Sequence, residues 1–386
     1  MRIAINLEQL FYRAPGGTGR YAARLASTMA AQFSSDQVVP FLAWHSRGEM
    51  EAVFEKGSLG HARLEAAVRL PFPRPFLFDL WHDLRWPPPT AFSAALRSTD
   101  LVHMPYPAVP PVAKPLVVTV FDAGPALFPD AYPRRGVRFH ARALMLAAKR
   151  ASAVITATQA AASEIAANTP VPAELMKVVP LGVDQSRADP ARTGEVLARH
   201  GLSGTPYILW VGSLEPRKNV GALVRAFVKL VKSGAIPHRL VLVGPLGWLH
   251  HGLISDQDRA VLGERLRALG ALSEDDLRSI YAGASVLAFP SLHEGFGMPV
   301  LEAMVQGVPV VCSDIATLAE VSGGAALRVP PEDIDGWAGT LAQVVQDPKV
   351  AQPLVDAGYQ RAAQFTWERT AQATHCIYEQ LAESGK

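Results

Sequence analysis

The sequence predicts an α/β protein built from two doubly wound, Rossmann-like halves, and three observations carry that expectation. Short Val-, Leu- and Ile-rich runs, such as 116–121 and 286–289, alternate with helical patterns along the chain, as buried parallel strands do. At 181–194 (LGVDQSRADPARTG) the periodicity lapses into Gly, Asp and Pro before the alternation resumes. A chain of 386 residues with 49% hydrophobic content is also long enough for more than one core. The expected boundaries are 1–183 and 184–365, with a closing helical segment at 366–386.

In order, 2–7 (RIAINL) is expected to be the first strand, because Asn6 and Glu8 interrupt what would be the apolar core of a targeting segment. Gly16-Gly17-Thr18-Gly19 stands between that strand and a helix whose apolar stripe runs through Tyr21, Leu25 and Met29. Such a loop either brings backbone amides to a phosphate or is merely a tight turn. Residues 38–44 form a second strand candidate. The stretch 45–99 is hard to read, and RLPFPRPFLFDLWHDLRWPPP within it is either an amphipathic surface for membrane or a lipid-linked acceptor, or an irregular excursion. Further strands are expected at 100–103, 116–121, 153–157 and 177–180, with a basic helix at 136–150. Strand ends are where open sheets bind ligands, which makes His103 and Asp122 candidates by position, the alternative being a structural role at the strand end. In the second half, strands are expected at 207–212, 240–243 and 286–289, and Asn219 is a suitable N-cap for an amphipathic helix. Two helical stretches fill the gap before 286, and the last helix spans 366–384 with Trp367 and Tyr378 on its stripe.

Composition narrows the function. No apolar run approaches the roughly 20 residues of a membrane span. Two cysteines, Cys312 and Cys376, provide neither a disulfide framework nor metal-ligand spacing, so a cytoplasmic protein without a metal is expected. Net charge is +2, yet residues 1–183 carry 19 Lys and Arg against 13 Asp and Glu. That excess is either ordinary solvated surface or an approach to an anionic surface or acceptor. Nothing in the sequence points to nucleic acid.

The chemistry concentrates at 290–312 (PSLHEGFGMPVLEAMVQGVPVVC). It reads as strand end, glycine loop, short helix, turn and strand, with Glu294 in the loop and Glu302 on the helix. Pro299 suits a first helical turn, and Gly295 and Gly297 permit close backbone approach. A helix N-terminus facing a loop acid suits an anion that also carries hydroxyl groups, unless the stretch is an ordinary strand–helix connection. Just after the strand at 207–212, Arg217 and Lys218 are either placed for a diphosphate, Arg as a planar fork and Lys as a point charge, or simply part of a solvated turn.

GSLEPRKN followed by PSLHEGFGMPVLEAMVQGVPVV resembles the retaining nucleotide-sugar glycosyltransferases of family 4, which have the GT-B fold and include mannosyltransferases. The likeness runs through nearly the whole chain and is densest over 207–321. It implies an acceptor-side first domain, a nucleotide-sugar-binding second domain, a cleft between them, and a last helix that returns to the first domain. Glu294 would contact donor-sugar hydroxyls and Glu302 the ribose. Arg217 and Lys218 would bind the diphosphate, and the amides of Gly295, Phe296 and Gly297 the sugar or phosphate. Gly16 and Gly17 would lie against the diphosphate or acceptor, and the base near Val243 and Gly244. The implied reaction moves a hexose, mannose from GDP-mannose as first choice, to a glycan or lipid-linked acceptor in bacterial surface polysaccharide synthesis. It needs no cofactor beyond the nucleotide sugar, and peripheral contact with the inner membrane face through the first domain fits it. One departure stands out: many members have His-Asp where this chain has Phe121-Asp122. Asp122 remains, and His103 is a candidate substitute. A nucleotide-sugar 2-epimerase and a catalytically silent nucleotide-sugar binder are the competing readings.

Overall fold

A computed structural model describes residues 1–12, 16–55, 67–247 and 252–384. The chain divides into two compact units. One comprises Met1–Pro129, Arg134–Gly182 and Thr366–Lys386, the other Asp130–Pro133 and Val183–Phe365. Of the expected closing segment, residues 385–386 lie outside the described residues, as do 13–15 ahead of the glycine loop and 56–66 within the stretch that resisted reading.

The first unit is built on β1 (Arg2–Asn6), β2 (Gln37–Leu42), β3 (Val68–Arg69), β4 (Leu101–Met104), β5 (Leu116–Thr119), β6 (Ala153–Thr156) and β7 (Met176–Val178). They form one sheet in the order β3-β2-β1-β4-β5-β6-β7. Every pairing is parallel, Ile3 lying between Val38 and Leu101 in register. β4, β5 and β6 are buried at each position, which is why they read as unbroken apolar runs. Phe41, Trp81, Val102, Val118 and Ile165 are among the core side chains. Strand order reverses between β1 and β4, so the carboxyl ends of those strands are the natural ligand side.

The helix Trp367–Ser384 belongs to this unit and packs on the helix Gly16–Gln32. Its Tyr378 hydroxyl lies 2.5 Å from Nδ1 of His103, whose Nε2 is 2.8 Å from Oγ1 of Thr119. Tyr21 reaches the same threonine at 3.2 Å. His103 is fully buried, and burial pushes its pKa down to about 3, so the ring is a neutral core group with both nitrogens engaged. The candidacy of His103 as a site histidine is therefore corrected: its side chain points into the core and joins the last helix to the sheet.

The second unit carries β8 (Tyr207–Val211), β9 (Arg239–Val243), β10 (Leu266–Gly270), β11 (Val286–Phe289), β12 (Val310–Ser313) and β13 (Leu327–Val329). Their order is β10-β9-β8-β11-β12-β13, again all parallel, with the reversal between β8 and β11. Trp210, Phe227, Leu242, Ala288, Val311, Trp337 and Leu341 fill its core. β10 stands where only helices are expected from the sequence. It is an edge strand with Arg267, Ala268 and Gly270 exposed and an irregular register after Ala268, so it lacks an apolar run. The expected connection at 181–194 ends in the helix Pro190–Arg199, with Asp189 accepting from the Ala191 amide and Pro190 in the first turn. Among the described residues no helix is long and apolar enough to cross a membrane.

Candidate active site

At the reversal point of the second unit, the turns that follow β8 and β11 are sewn together. Pro216–Lys218 makes a single tight helical turn, and Asn219 then takes the left-handed conformation with φ of 52°. Asparagine is among the few residues that visit this region readily. Its amide does not cap the next helix as expected; it donates to the carbonyls of Pro290 at 3.1 Å and Pro331 at 2.8 Å. Leu292 returns a backbone bond to the Arg217 carbonyl at 2.9 Å.

That seam brings Arg217, Lys218 and Glu294 into contact. Lys218 Nζ lies 2.6 Å from Glu294 Oε1, and Arg217 Nη1 lies 3.2 Å from Oε2 and 2.7 Å from the His293 carbonyl. The other guanidinium nitrogen, Nη2, donates to Glu215 at 2.8 Å. Burial alone would raise the Glu294 pKa, but the Lys218 ammonium and Arg217 guanidinium hold it down to about 2. Glu215 moves the other way, because its burial outweighs the two cations and Glu294 adds repulsion. Desolvation lowers the Lys218 pKa while Glu294 opposes it. Two cations and two carboxylates are thus packed into one largely buried cluster. Glu215 was missed from sequence; the only signal was its place two residues before Arg217.

The loop then turns into the helix Met298–Val305 through Gly297, whose φ of +99° and closeness to Leu318 exclude a side chain; a Cβ there would be 2.5 Å from Leu318 Cδ2. Pro299 sits in the first turn as expected. Gly295 and Phe296 are buried beside it, Phe296 packing edge-on against Phe365 at 5.8 Å. Glu302 projects from this helix and accepts a 2.8 Å bond from the Tyr281 hydroxyl, a partner that sequence spacing did not reveal. At the end of β9, Gly244 has φ of +138° and approaches Gly212 so closely that a Cβ would lie 1.9 Å from its carbonyl oxygen. Beside it lies a hollow of about 230 Å³, lined by Trp210, Leu214, Val243, Gly244, Leu246 and Gly270. Among the described residues no group of three His, Cys, Asp or Glu is placed to hold a metal ion.

Both halves of the chain match family models. Residues 15–187 match Glycosyltransferase Family 4, and residues 205–347 match Glycosyl transferases group 1. Over 388 aligned residues, 99% of this chain and 100% of the relative, it is 30% identical to O-antigen chain mannosyltransferase B of Escherichia coli. The chain belongs to glycosyltransferase family 4. Its fold is GT-B, as in sucrose-phosphate synthase of Thermosynechococcus elongatus, with a TM-score of 0.75 at 21% identity and 100% of both chains covered. Anabaena HepE in complex with UDP-glucose gives 0.71 at 19% identity over 100% of this chain and 99% of that one.

In this family 4 glycosyltransferase the remaining expected site residues belong to the first unit. Gly16 and Gly17 are exposed and form the first turn of the helix Gly16–Gln32; they are part of the helix and not of a loop before it. Asp122 follows β5, half-buried, with Oδ1 accepting from the Gly124 amide at 2.9 Å. Phe121 packs edge-on to Tyr21 at 5.2 Å.

Proposed function

We propose that this glycosyltransferase moves a hexose, mannose from GDP-mannose first, onto a lipid-linked glycan during assembly of a bacterial surface polysaccharide, with retention at the anomeric carbon and without a metal. The carrying observation is the Arg217–Lys218–Glu294 cluster at the carboxyl ends of β8 and β11. As the bond from C1 to the diphosphate breaks, negative charge grows on the leaving phosphate. A guanidinium and an ammonium already fixed in a low-dielectric setting stabilise that charge without having to reorganise. Glu294 holds both cations in place before the donor arrives, and it exchanges part of that contact for sugar hydroxyls once the diphosphate takes its place. Glu302, kept in orientation by Tyr281, takes the ribose, and the hollow beside Gly244 takes the base. The mannosyl choice is supported by the Escherichia coli relative, which is an O-antigen chain mannosyltransferase. None of the relatives reported above supports the 2-epimerase reading.

The lipid-linked acceptor and a position at the cytoplasmic membrane face are supported by an exposed aromatic patch on the first unit. Phe76, Trp86 and Leu84 are 52%, 55% and 68% exposed. Phe72 lies at the centre, with ring centroids 5.7 Å from Phe76, 6.4 Å from Trp86 and 6.0 Å from Phe92.

Calorimetry tests the donor assignment. Arg217→Ala and Lys218→Ala are expected to weaken GDP binding at least tenfold, and transfer by either variant should fall about 10²- to 10³-fold, the loss of roughly 2.7–4 kcal/mol seen when one oxyanion donor is removed. Unaltered nucleotide affinity in both variants refutes the diphosphate role. A thermal-shift series with GDP, UDP, ADP and dTDP identifies the base, and the anomeric coupling of the product tests retention.

A further inference from the structure

The cluster at the carboxyl ends of β8 and β11 holds one group that the transfer described above does not use. Glu215 is buried, and its Oε1 accepts from Arg217 Nη2 at 2.8 Å, while Glu294 takes the other terminal nitrogen of the same guanidinium at 3.2 Å. Its backbone is fixed from the opposite side. Leu214 bridges to Leu246 after β9, its amide donating to the Pro245 carbonyl at 3.0 Å and its carbonyl accepting from the Gly247 amide at 3.1 Å. A Cβ on Gly247 would lie 3.2 Å from that of Glu215, so the two turns are in tight contact. The charged groups facing Glu215 are Arg217 and Lys218 from its own turn and Glu294 from the turn after β11, where His293 meets Arg217 through its carbonyl oxygen. Pro245, Leu246 and Gly247, on the third side, carry no titratable side chain.

With both carboxylates ionised, two cations face two anions and the cluster has no formal net charge. A diphosphate that joins a nucleoside to a sugar brings two more negative charges to the same cations. In a largely buried setting that excess is costly, so a carboxylate must either move away or lose its charge. Glu294 lies in the glycine loop and has sugar hydroxyls to turn to. Glu215 is stitched down on both sides and shielded from water, so moving away is closed to it. Like charges brought together favour the protonated carboxyl. Burial already outweighs the pull of Arg217 and Lys218 and raises the Glu215 pKa above the usual 4.5, with Glu294 adding repulsion.

We propose that Glu215 positions Arg217 for the diphosphate and takes up one proton from solvent when the donor binds, so that donor affinity is coupled to pH. The inference rests on the donor reading above and deepens it. A protonated Glu215 still presents its carbonyl oxygen to Arg217 Nη2, so the guanidinium keeps its place while the opposing charge is gone. The sign follows from linkage. Affinity falls as pH rises between the pKa of Glu215 in the free protein and its higher pKa in the complex, by up to about tenfold per pH unit for one proton.

Calorimetry of GDP-mannose binding in two buffers of different ionisation enthalpy counts the protons, because a diphosphate esterified at both ends does not itself titrate near neutrality. Between about pH 5 and 8, wild type is expected to take up close to one proton at its maximum and to weaken about tenfold or more across the range. Glu215→Gln keeps an oxygen for Arg217 without the charge. It should take up no proton, hold a level affinity and bind about tenfold more tightly than wild type at the alkaline end. Glu215→Ala releases Arg217 Nη2 and should bind about tenfold more weakly than Glu215→Gln at every pH. The wild-type proton count answers the question even if a variant folds poorly. No uptake by wild type, or equal uptake by Glu215→Gln, overturns the proposal and leaves the donor site standing. If GDP-mannose does not bind, UDP-glucose, ADP-glucose and dTDP-glucose are titrated in turn; binding by none of them removes the donor reading and this inference with it.

Discussion

Lys218 and Glu294 are 12% and 8% exposed and 2.6 Å apart, so water screens neither charge well. Removing one member of such a pair leaves the other buried and uncompensated, which costs about 3–5 kcal/mol. Glu294→Gln should therefore lower stability in urea by about 3 kcal/mol as well as impair transfer, and loss of nucleotide affinity should accompany it, because both cations lose their anchor. The pH dependence has a definite sign. The folded-state pKa, held to about 2 by Lys218 and Arg217 against burial, lies below the usual 4.5, so the stabilisation is complete above pH 4.5 and disappears as pH falls through about 2. The gap between wild type and Glu294→Gln should narrow across that window; a gap constant with pH would show that Glu294 is not the charged partner. Glu294, Arg217 and Lys218 were legible in sequence because charged residues at strand ends stand out by type and spacing. Glu215 and Tyr281 were not, since their importance lies in contacts across turns. His103 misled because its strand-end position hid a side chain directed into the core.

At the level of elements, legibility followed burial. β4, β5, β8, β11 and β12 are enclosed at each position and announce themselves as apolar runs. β3 has two residues, and β10 and β13 are short edge strands with exposed positions, so neither length nor alternation marks them. The last helix is held by a polar contact that sequence periodicity does not contain: Tyr378 on the His103 imidazole. Tyr378→Phe keeps the ring and removes the oxygen, leaving a buried ring nitrogen without its partner. A cost of about 1–3 kcal/mol in the urea midpoint is expected, as for other buried groups left unsatisfied. Nucleotide affinity should stay at the wild-type value, because Arg217, Lys218, Glu302 and Gly244 belong to the other unit. Should Tyr378→Phe instead slow transfer and leave stability intact, His103 would have to be restored to the site.

Taken over the whole molecule, charge and exposed apolar surface fall on the same unit. Residues 1–183 hold an excess of six positive charges by formal count, 19 Lys and Arg against 13 Asp and Glu. The aromatic patch around Phe72 lies in that segment, with exposed Arg69 and Arg97 close by in sequence. Soluble monomers seldom leave several large aromatic side chains exposed side by side, and aromatic rings flanked by cations are suited to the headgroup region of an anionic bilayer. Co-sedimentation with vesicles of phosphatidylglycerol and phosphatidylethanolamine is therefore expected, weakening as salt screens the cationic contribution. Burying one such side chain is worth about 1.5–3 kcal/mol when complete. The double change Phe76→Ser and Trp86→Ser should then reduce partitioning on the order of tenfold or more, given partial insertion at each position. Transfer to a water-soluble glycan should keep its wild-type rate in that variant, since both side chains belong to the first unit and the donor cluster to the second. Vesicle binding that survives the double change, or that vanishes in salt without responding to it, would reduce the patch to a local packing feature and leave the acceptor to reach the enzyme from solution.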